Sequence, residues 1–284
     1  MIVILCALFP EAAPLIQKLC LARDTARTPF PRFWNQGISL YLSGPGEIAA
    51  AACTGFALGR EEPLSSLHLV NFGSAAGPEN RAGELFLADA LLETGTGRRF
   101  YPDLVLDAKI PEAAVRTCQK PADRDTVAGA NDGAVRPVLF DMEAAAICEA
   151  AMHFLGPDRI HFLKFVSDAG GEVSLTQEAL LSLSEAPLAD VLSYLSLIRR
   201  AQKEEKKSVP AVDEEALEKL SSLFCCSVAM KERLSVLLHW CALSGRDFEG
   251  EVKARMETGV LPAPNRREGK KVFDDIERTL TMGD

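Results

Sequence analysis

Apolar residues run without a break over residues 1–8 and then recur at helical spacing over AAPLIQKLCL (12–21), so the chain opens as strand, short turn and helix, with Glu11 in the turn. The plan repeats. ISLYLSG (38–44) predicts a strand, PGE a turn, and IAAAACTGFAL (48–58) a helix of small residues able to pack closely on a sheet. A third buried strand, LHLVNF (67–72), runs into a glycine turn, GSAAG (73–77). GELFLADALLE (83–93) reads as a further strand, and VLF (138–140) leads into a helix over DMEAAAICEAAMHFL (141–155). IHFLKFV (160–166) is another buried strand, ending at Ser167 and Asp168, and a helix follows from about residue 174 to residue 200. Residues 94–136 mix short apolar runs with Gly, Pro and Asp and yield no assignment.

Strands alternating with helices predict an α/β domain with a mainly parallel central sheet and helices on both faces. Ligands of such a domain sit beyond the carboxyl ends of the strands. The composition changes at AQKEEKKSVPAVDEE (201–215), which is charged and has almost no large apolar side chain. The reading is therefore an α/β domain over 1–206 and a small all-helical C-terminal extension over 207–284. Within that extension, LEKLSSLFCCSVAMKERLSVLLHWCALSG (217–245) carries apolar stripes that need burial.

Charge and cysteine usage narrow the function classes. The 284 residues carry a net charge of -9 and a pI near 5.1, which disfavours nucleic acid or an anionic membrane as partner. The apolar start lacks a basic flank and is shorter than a membrane span, so a cytoplasmic location is expected. The eight cysteines show no CxxC spacing and mostly sit among apolar neighbours, which predicts buried free thiols. The four histidines share no metal-ligand spacing, and neither metal nor cofactor is expected.

Chemistry gathers at the strand ends. Glu11 follows the first strand, Gly44 and Gly46 the second, Gly73 to Gly77 the third, and Asp168 the last. Glycines let the backbone approach a ligand, and the small side chains of Ser74, Ala75 and Ala76 leave room for a flat base or a sugar. Plainer roles exist for the same residues. Asp168 also suits a cap, Glu143 falls in a helix first turn where the dipole favours a carboxylate, and Asp141 suits the N-cap of that helix. Met142 suits the core, and Lys164 either reaches the site edge or pairs structurally.

The order of motifs resembles the family of methylthioadenosine/S-adenosylhomocysteine nucleosidases and purine nucleoside phosphorylases. ALFPE (7–11), SGPGEIAAAA (43–52), LVNFGSAAG (69–77), GELFLAD (83–89), DMEAAA (141–146) and KFVSDAGG (164–171) carry the resemblance over roughly residues 1–200. It implies a nucleoside phosphorylase-like fold and a small-molecule nucleoside as partner, in a homo-oligomer. It further implies Asp168 as general acid on the leaving purine and Glu143 as the residue holding the ribose hydroxyls. Ser74, Ala75, Met142 and Ser167 are the implied substrate contacts. Both carboxylate roles match the charges that develop as an N-glycosidic bond breaks. To donate a proton, Asp168 would need a raised pKa, for which burial beside Phe165 and Val166 is the expected source.

Similar phosphorylases place arginines before the glycine turn and near the amino terminus to hold phosphate. The corresponding residues here are Asn71 and Glu11. In the related nucleosidases a glutamate at the position of Glu11 activates water, so the resemblance favours hydrolysis of a purine-type nucleoside with a modified 5' position, or of a futalosine-like one. A phosphorylase drawing arginines from Arg98, Arg99 and Arg136 is the second reading, and a non-catalytic nucleoside-binding protein is the third. The stretch 94–136 lacks the aromatic motif that stacks on the base in the family, leaving Phe100, Tyr101 and Phe140 as candidates.

Overall fold

A computed structural model describes residues 1–61, 63–171, 175–208 and 214–281. They form two compact units, Met1–Arg199 and Arg200–Asp284. The charged segment at the composition change is helical as far as Ser208, and residues 209–213 lie outside the described residues.

The first unit is built on β1 (Ile2–Cys6), buried at every position. Strand side chains alternate between faces, and both faces here are covered. Ile2 and Ile4 enter one apolar core, Val3 and Leu5 the other, which is why the sequence reads as an unbroken apolar run. β1 pairs in parallel with β4 (Ile38–Leu42) on one side and with β5 (His68–Ala76) on the other. β5 pairs in parallel with β10 (Ile160–Asp168).

Beyond β10 the sheet departs from the expected mainly parallel arrangement. β6 (Leu85–Glu93) runs antiparallel to β10, while β8 (Glu112–Thr117) and β9 (Val138–Asp141) continue in parallel from it. A single antiparallel bridge, Ala76 to Phe140, then joins β9 back to β5. Strands β5, β10, β6, β8 and β9 thus close a five-stranded barrel. Bulges between Ala88 and Ala90 and between Val166 and Asp168 supply local bending. Short antiparallel pieces, β2 (Ala22–Arg23), β3 (Arg32–Asn35) and β7 (Arg99–Phe100), line the edges. Among the described residues five strand pairings are parallel and five antiparallel. The sheet is mixed.

Helices cover both faces. α2 (Glu47–Arg60) and α4 (Ala144–Ala151) lie on one, where Ala50, Cys53, Ala57, Ala144 and Ala151 permit close approach. α1 (Phe9–Lys18), α5 (Gln177–Glu185) and α6 (Leu188–Ser208) lie on the other and contribute Leu15, Leu180, Val191 and Ile198 to its core. α3 (Arg124–Asn131) is capped by Asp123.

Several local expectations need correction. Glu11 lies in the first turn of α1, which already begins at Phe9. Residues 73–76 continue β5 as strand instead of turning. The helix expected over 141–155 spans only Ala144–Ala151, because Asp141 ends β9. The helix expected over 174–200 is two, broken at Ala186 and Pro187, since proline cannot donate the backbone hydrogen bond that continuation requires. All eight cysteines are free, but Cys20 is exposed and Cys118, Cys225 and Cys226 are half-buried.

The second unit contains α7 (Glu214–Leu223), α8 (Val228–Ser244), α9 (Phe248–Glu257) and α10 (Arg266–Thr281). Phe224, Leu234, Phe273 and Ile276 centre its own core. Ser227 and Asp247 cap α8 and α9 through the N–H groups of Met230 and Gly250.

Candidate active site

The ends of β1, β5, β9 and β10 and the starts of α1, α2 and α4 surround one cleft. Glu11, Ser74, Ala75, Met142, Glu143, Ser167 and Asp168 all line it. The sequence placed these residues on four separate segments, and the fold brings every one of them to the same space.

Glu11 is 2% exposed and accepts four hydrogen bonds. Oε2 receives the N–H groups of Ala7 (3.1 Å) and Leu8 (2.9 Å). Oε1 receives the N–H (2.9 Å) and the hydroxyl (2.6 Å) of Ser74. A carboxylate has about four acceptor positions, so all are occupied. Three of the donors are backbone groups, and only the Ser74 hydroxyl can turn.

Glu143 is the N-cap residue of α4 and is buried. Its Oε1 accepts from the N–H of Gly46 at 2.7 Å and its Oε2 from the N–H of Met142 at 3.3 Å. Gly46 starts α2 at a φ of +94° that favours glycine, so the glutamate faces a helix amino terminus. Burial, followed by the negative charge of Asp141, raises the Glu143 pKa to about 7, with Lys164 and the Gly46 N–H pulling the other way.

Asp168 is half-buried and ends β10. Its carboxylate accepts from the Ser167 hydroxyl at 2.6 Å and from the N–H of Gly170 at 2.8 Å. Phe165 and Val166, the expected apolar surroundings, belong to the two cores instead. The backbone of Gly170 has a φ of +84°, and a Cβ there would meet Val127 at 2.8 Å and the carbonyl of Asp123 at 2.9 Å. The segment before α3 is thereby laid against the Asp168 loop, and its Pro121 and Ala122 form one wall of the cleft. This wall comes from the stretch that the sequence left unassigned. Of the candidate aromatics, Phe140 lines the cleft. Tyr101 is exposed and Phe100 packs against the core over α2 and α4; neither belongs to the wall.

Behind the cleft lies a network that the sequence only half revealed. Lys164 is 1% exposed, and its Nζ lies 2.8 Å from Oδ2 of Asp141. Asp141 also accepts from the Thr117 hydroxyl (2.7 Å) and the N–H of Ala144 (2.8 Å). Thr117 in turn accepts from the N–H of Ala145 at 2.9 Å. Burial works against the charge of Lys164, but Asp141, Glu143 and Glu11 outweigh it and raise its pKa. Lys164 is therefore a structural pair, and Asp141 serves the start of α4 from the last residue of β9. Thr117 had no sequence signal, because residues 94–136 showed no periodicity that would place it opposite Asp141.

Among the described residues that line the cleft there is no lysine or arginine. Arg98 pairs with Glu149 and Arg136 with Asp89, and Arg99 lies on the edge piece β7. Among the described residues no group of His, Cys, Asp and Glu is arranged to hold a metal ion. His68 and His161 form a buried hydrogen-bonded chain with Tyr194 and are not part of the cleft.

No protein-family model matches the sequence, and no curated protein does. Solved structures with the same fold do exist. A 5'-methylthioadenosine nucleosidase of Arabidopsis thaliana superposes with a TM-score of 0.57 at 19% identity, over 69% of this chain and 95% of that one. The 5'-methylthioadenosine/S-adenosylhomocysteine nucleosidase of Neisseria meningitidis, in complex with methylthio-immucillin-A, gives 0.54 at 16% identity, over 70% and 98%. The corresponding nucleosidase of Colwellia psychrerythraea, in complex with adenine, gives 0.52 at 21% identity, over 71% and 94%. The likeness is one of fold, and it is the fold that the motif resemblance implies.

Proposed function

We propose, on the premise of this shared fold, that the chain hydrolyses the N-glycosidic bond of a purine-type nucleoside, one with a modified 5' position or a futalosine-like one. One observation carries the reading: Glu11, Glu143 and Asp168 converge on a cleft whose described lining offers no cationic side chain. Bond cleavage leaves positive charge on the sugar and negative charge on the base. Asp168 is the proton donor to the leaving base, steadied by Ser167, whose hydroxyl can turn from donor to acceptor when the carboxyl is protonated. Glu143, presenting its carboxylate beside Met142, accepts from the ribose hydroxyls. Glu11 orients and deprotonates water once the Ser74 hydroxyl turns away and frees one acceptor position.

Phosphorolysis would bring a dianion into a space lined by carboxylates, with no arginine fork to receive it. The test is release of free base from methylthioadenosine, adenosylhomocysteine, inosine, adenosine and futalosine, comparing the protein with its Asp168→Asn variant. A folded variant is expected to lose about 10²- to 10⁴-fold in kcat. Unchanged turnover in that variant removes Asp168 from the reaction, and no release from any nucleoside leaves a binding protein.

A further inference from the structure

Three carboxylates, Glu11 on α1, Asp141 on β9 and Glu143 at the start of α4, act electrostatically on a buried cation, Lys164 on β10, and the first two also act on Glu143. Two more acids stand behind them: Glu47 on α2, which feels Asp141, and Glu93 on β6, which acts on Glu47. Lys164 does not line the cleft, so any part it plays passes through its neighbours.

We propose that Lys164 is a positioning residue, which through Asp141 holds Glu143 charged and aimed into the cleft. The argument is geometric first. Asp141 is fixed by three donors, Lys164 on β10, the Thr117 hydroxyl on β8 and the N–H of Ala144 on α4. Glu143 lies two residues beyond Asp141 and hangs from two backbone N–H groups, those of Gly46 and Met142. The anchored aspartate therefore sets where the Glu143 backbone begins α4. Electrostatics completes it. Removing Lys164 leaves Asp141 as an uncompensated anion beside a buried glutamate, which then holds its proton to higher pH. Removing the Asp141 charge leaves Lys164 unopposed at that distance and favours the Glu143 anion. The two single substitutions must act in opposite directions, and the double substitution must cancel much of both.

This inference rests on the proposed role of Glu143, and its first readout needs no substrate. In protein labelled with δ-13C glutamate, the Glu143 carboxyl signal is assigned by its disappearance in Glu143→Gln and titrated by NMR. The midpoint is expected near 7 in the unsubstituted protein. It is expected to rise by about one pH unit in Lys164→Met, to fall in Asp141→Asn, and to return to within about half a unit in the double variant. A midpoint that does not move in Lys164→Met, or that moves the same way in both single variants, overturns the proposal. The second readout is turnover, in which Lys164→Met is expected to raise KM about tenfold with a smaller change in kcat. If either single variant fails to fold, the double variant, which removes both members of the Lys164–Asp141 ion pair together, carries the test. Its KM is then expected to be about tenfold raised, and an unchanged KM overturns the proposal. Absence of base release from the unsubstituted protein counts against the hydrolase reading alone and leaves the titration result standing.

Discussion

Glu11 and Glu143 are both buried acids at one cleft, yet their surroundings differ in kind. Glu11 is saturated by four donors, whereas Glu143 has two and lies beside another acid. The first difference predicts that Glu11→Gln lowers kcat by about 10²- to 10⁴-fold. Ser74→Ala, which removes only the movable donor, is expected to leave kcat within about tenfold; steady-state kinetics on both variants checks the contrast. The second difference predicts a stability cost. A carboxyl whose pKa rises from 4.5 to about 7 on folding binds its proton more tightly in the native state, so the contribution to stability falls as pH rises from about 4.5 to 7. Glu143→Gln is therefore expected to stabilise the protein at pH 8 by an amount of order 3 kcal/mol, and to give little at pH 4. Urea unfolding at the two pH values measures this, and a gain of the same size at both would contradict it.

At the scale of elements, the legible parts were those with a single pattern. β1, β4, β5 and β10 are buried on both faces, so their apolar runs identify them from sequence. β8, EAAVRT, alternates buried positions with exposed or half-buried ones over six residues, too short a signal to separate from a loop, and β3 and β7 are shorter still. Barrel closure rests on one bridge between Ala76 and Phe140, a long-range event that no local pattern encodes. The same limit hid the Pro121 and Ala122 wall, while Glu11, Glu143 and Asp168 were legible because each sits in a motif at the end of an apolar run. At the opposite end of β5 and β10, His68, His161 and Tyr194 form their hydrogen-bonded chain, with the two imidazoles stacked at 5.4 Å. Burial, the largest cause for each ring, lowers the pKa of His68 to about 4 and that of His161 to about 3 from 6.5. The unfolded chain then binds more protons, and the stability these rings contribute is lost as pH falls below about 6.5 toward 4. The expected slope is at most about 1.4 kcal/mol per pH unit for each ring, and it is expected to be shallower in His161→Gln. A slope unchanged by that substitution would contradict the assignment.

For the whole molecule, a shared fold fixes where a ligand binds more firmly than it fixes which reaction follows. The division between hydrolysis and phosphorolysis turns on what the cleft lacks as well as on what it holds: four acids, Glu11, Asp141, Glu143 and Asp168, and, among its described lining residues, no arginine or lysine. A net charge of -9 sharpens the point, since the protein as a whole repels the dianion that a phosphorylase must capture. The most direct test follows the oxygen. Nucleoside cleavage run in 18O-labelled water with phosphate present is predicted to give free base and a free sugar carrying one 18O at its anomeric carbon, at a rate independent of phosphate. A sugar 1-phosphate, or a rate that vanishes when phosphate is removed, would contradict the account.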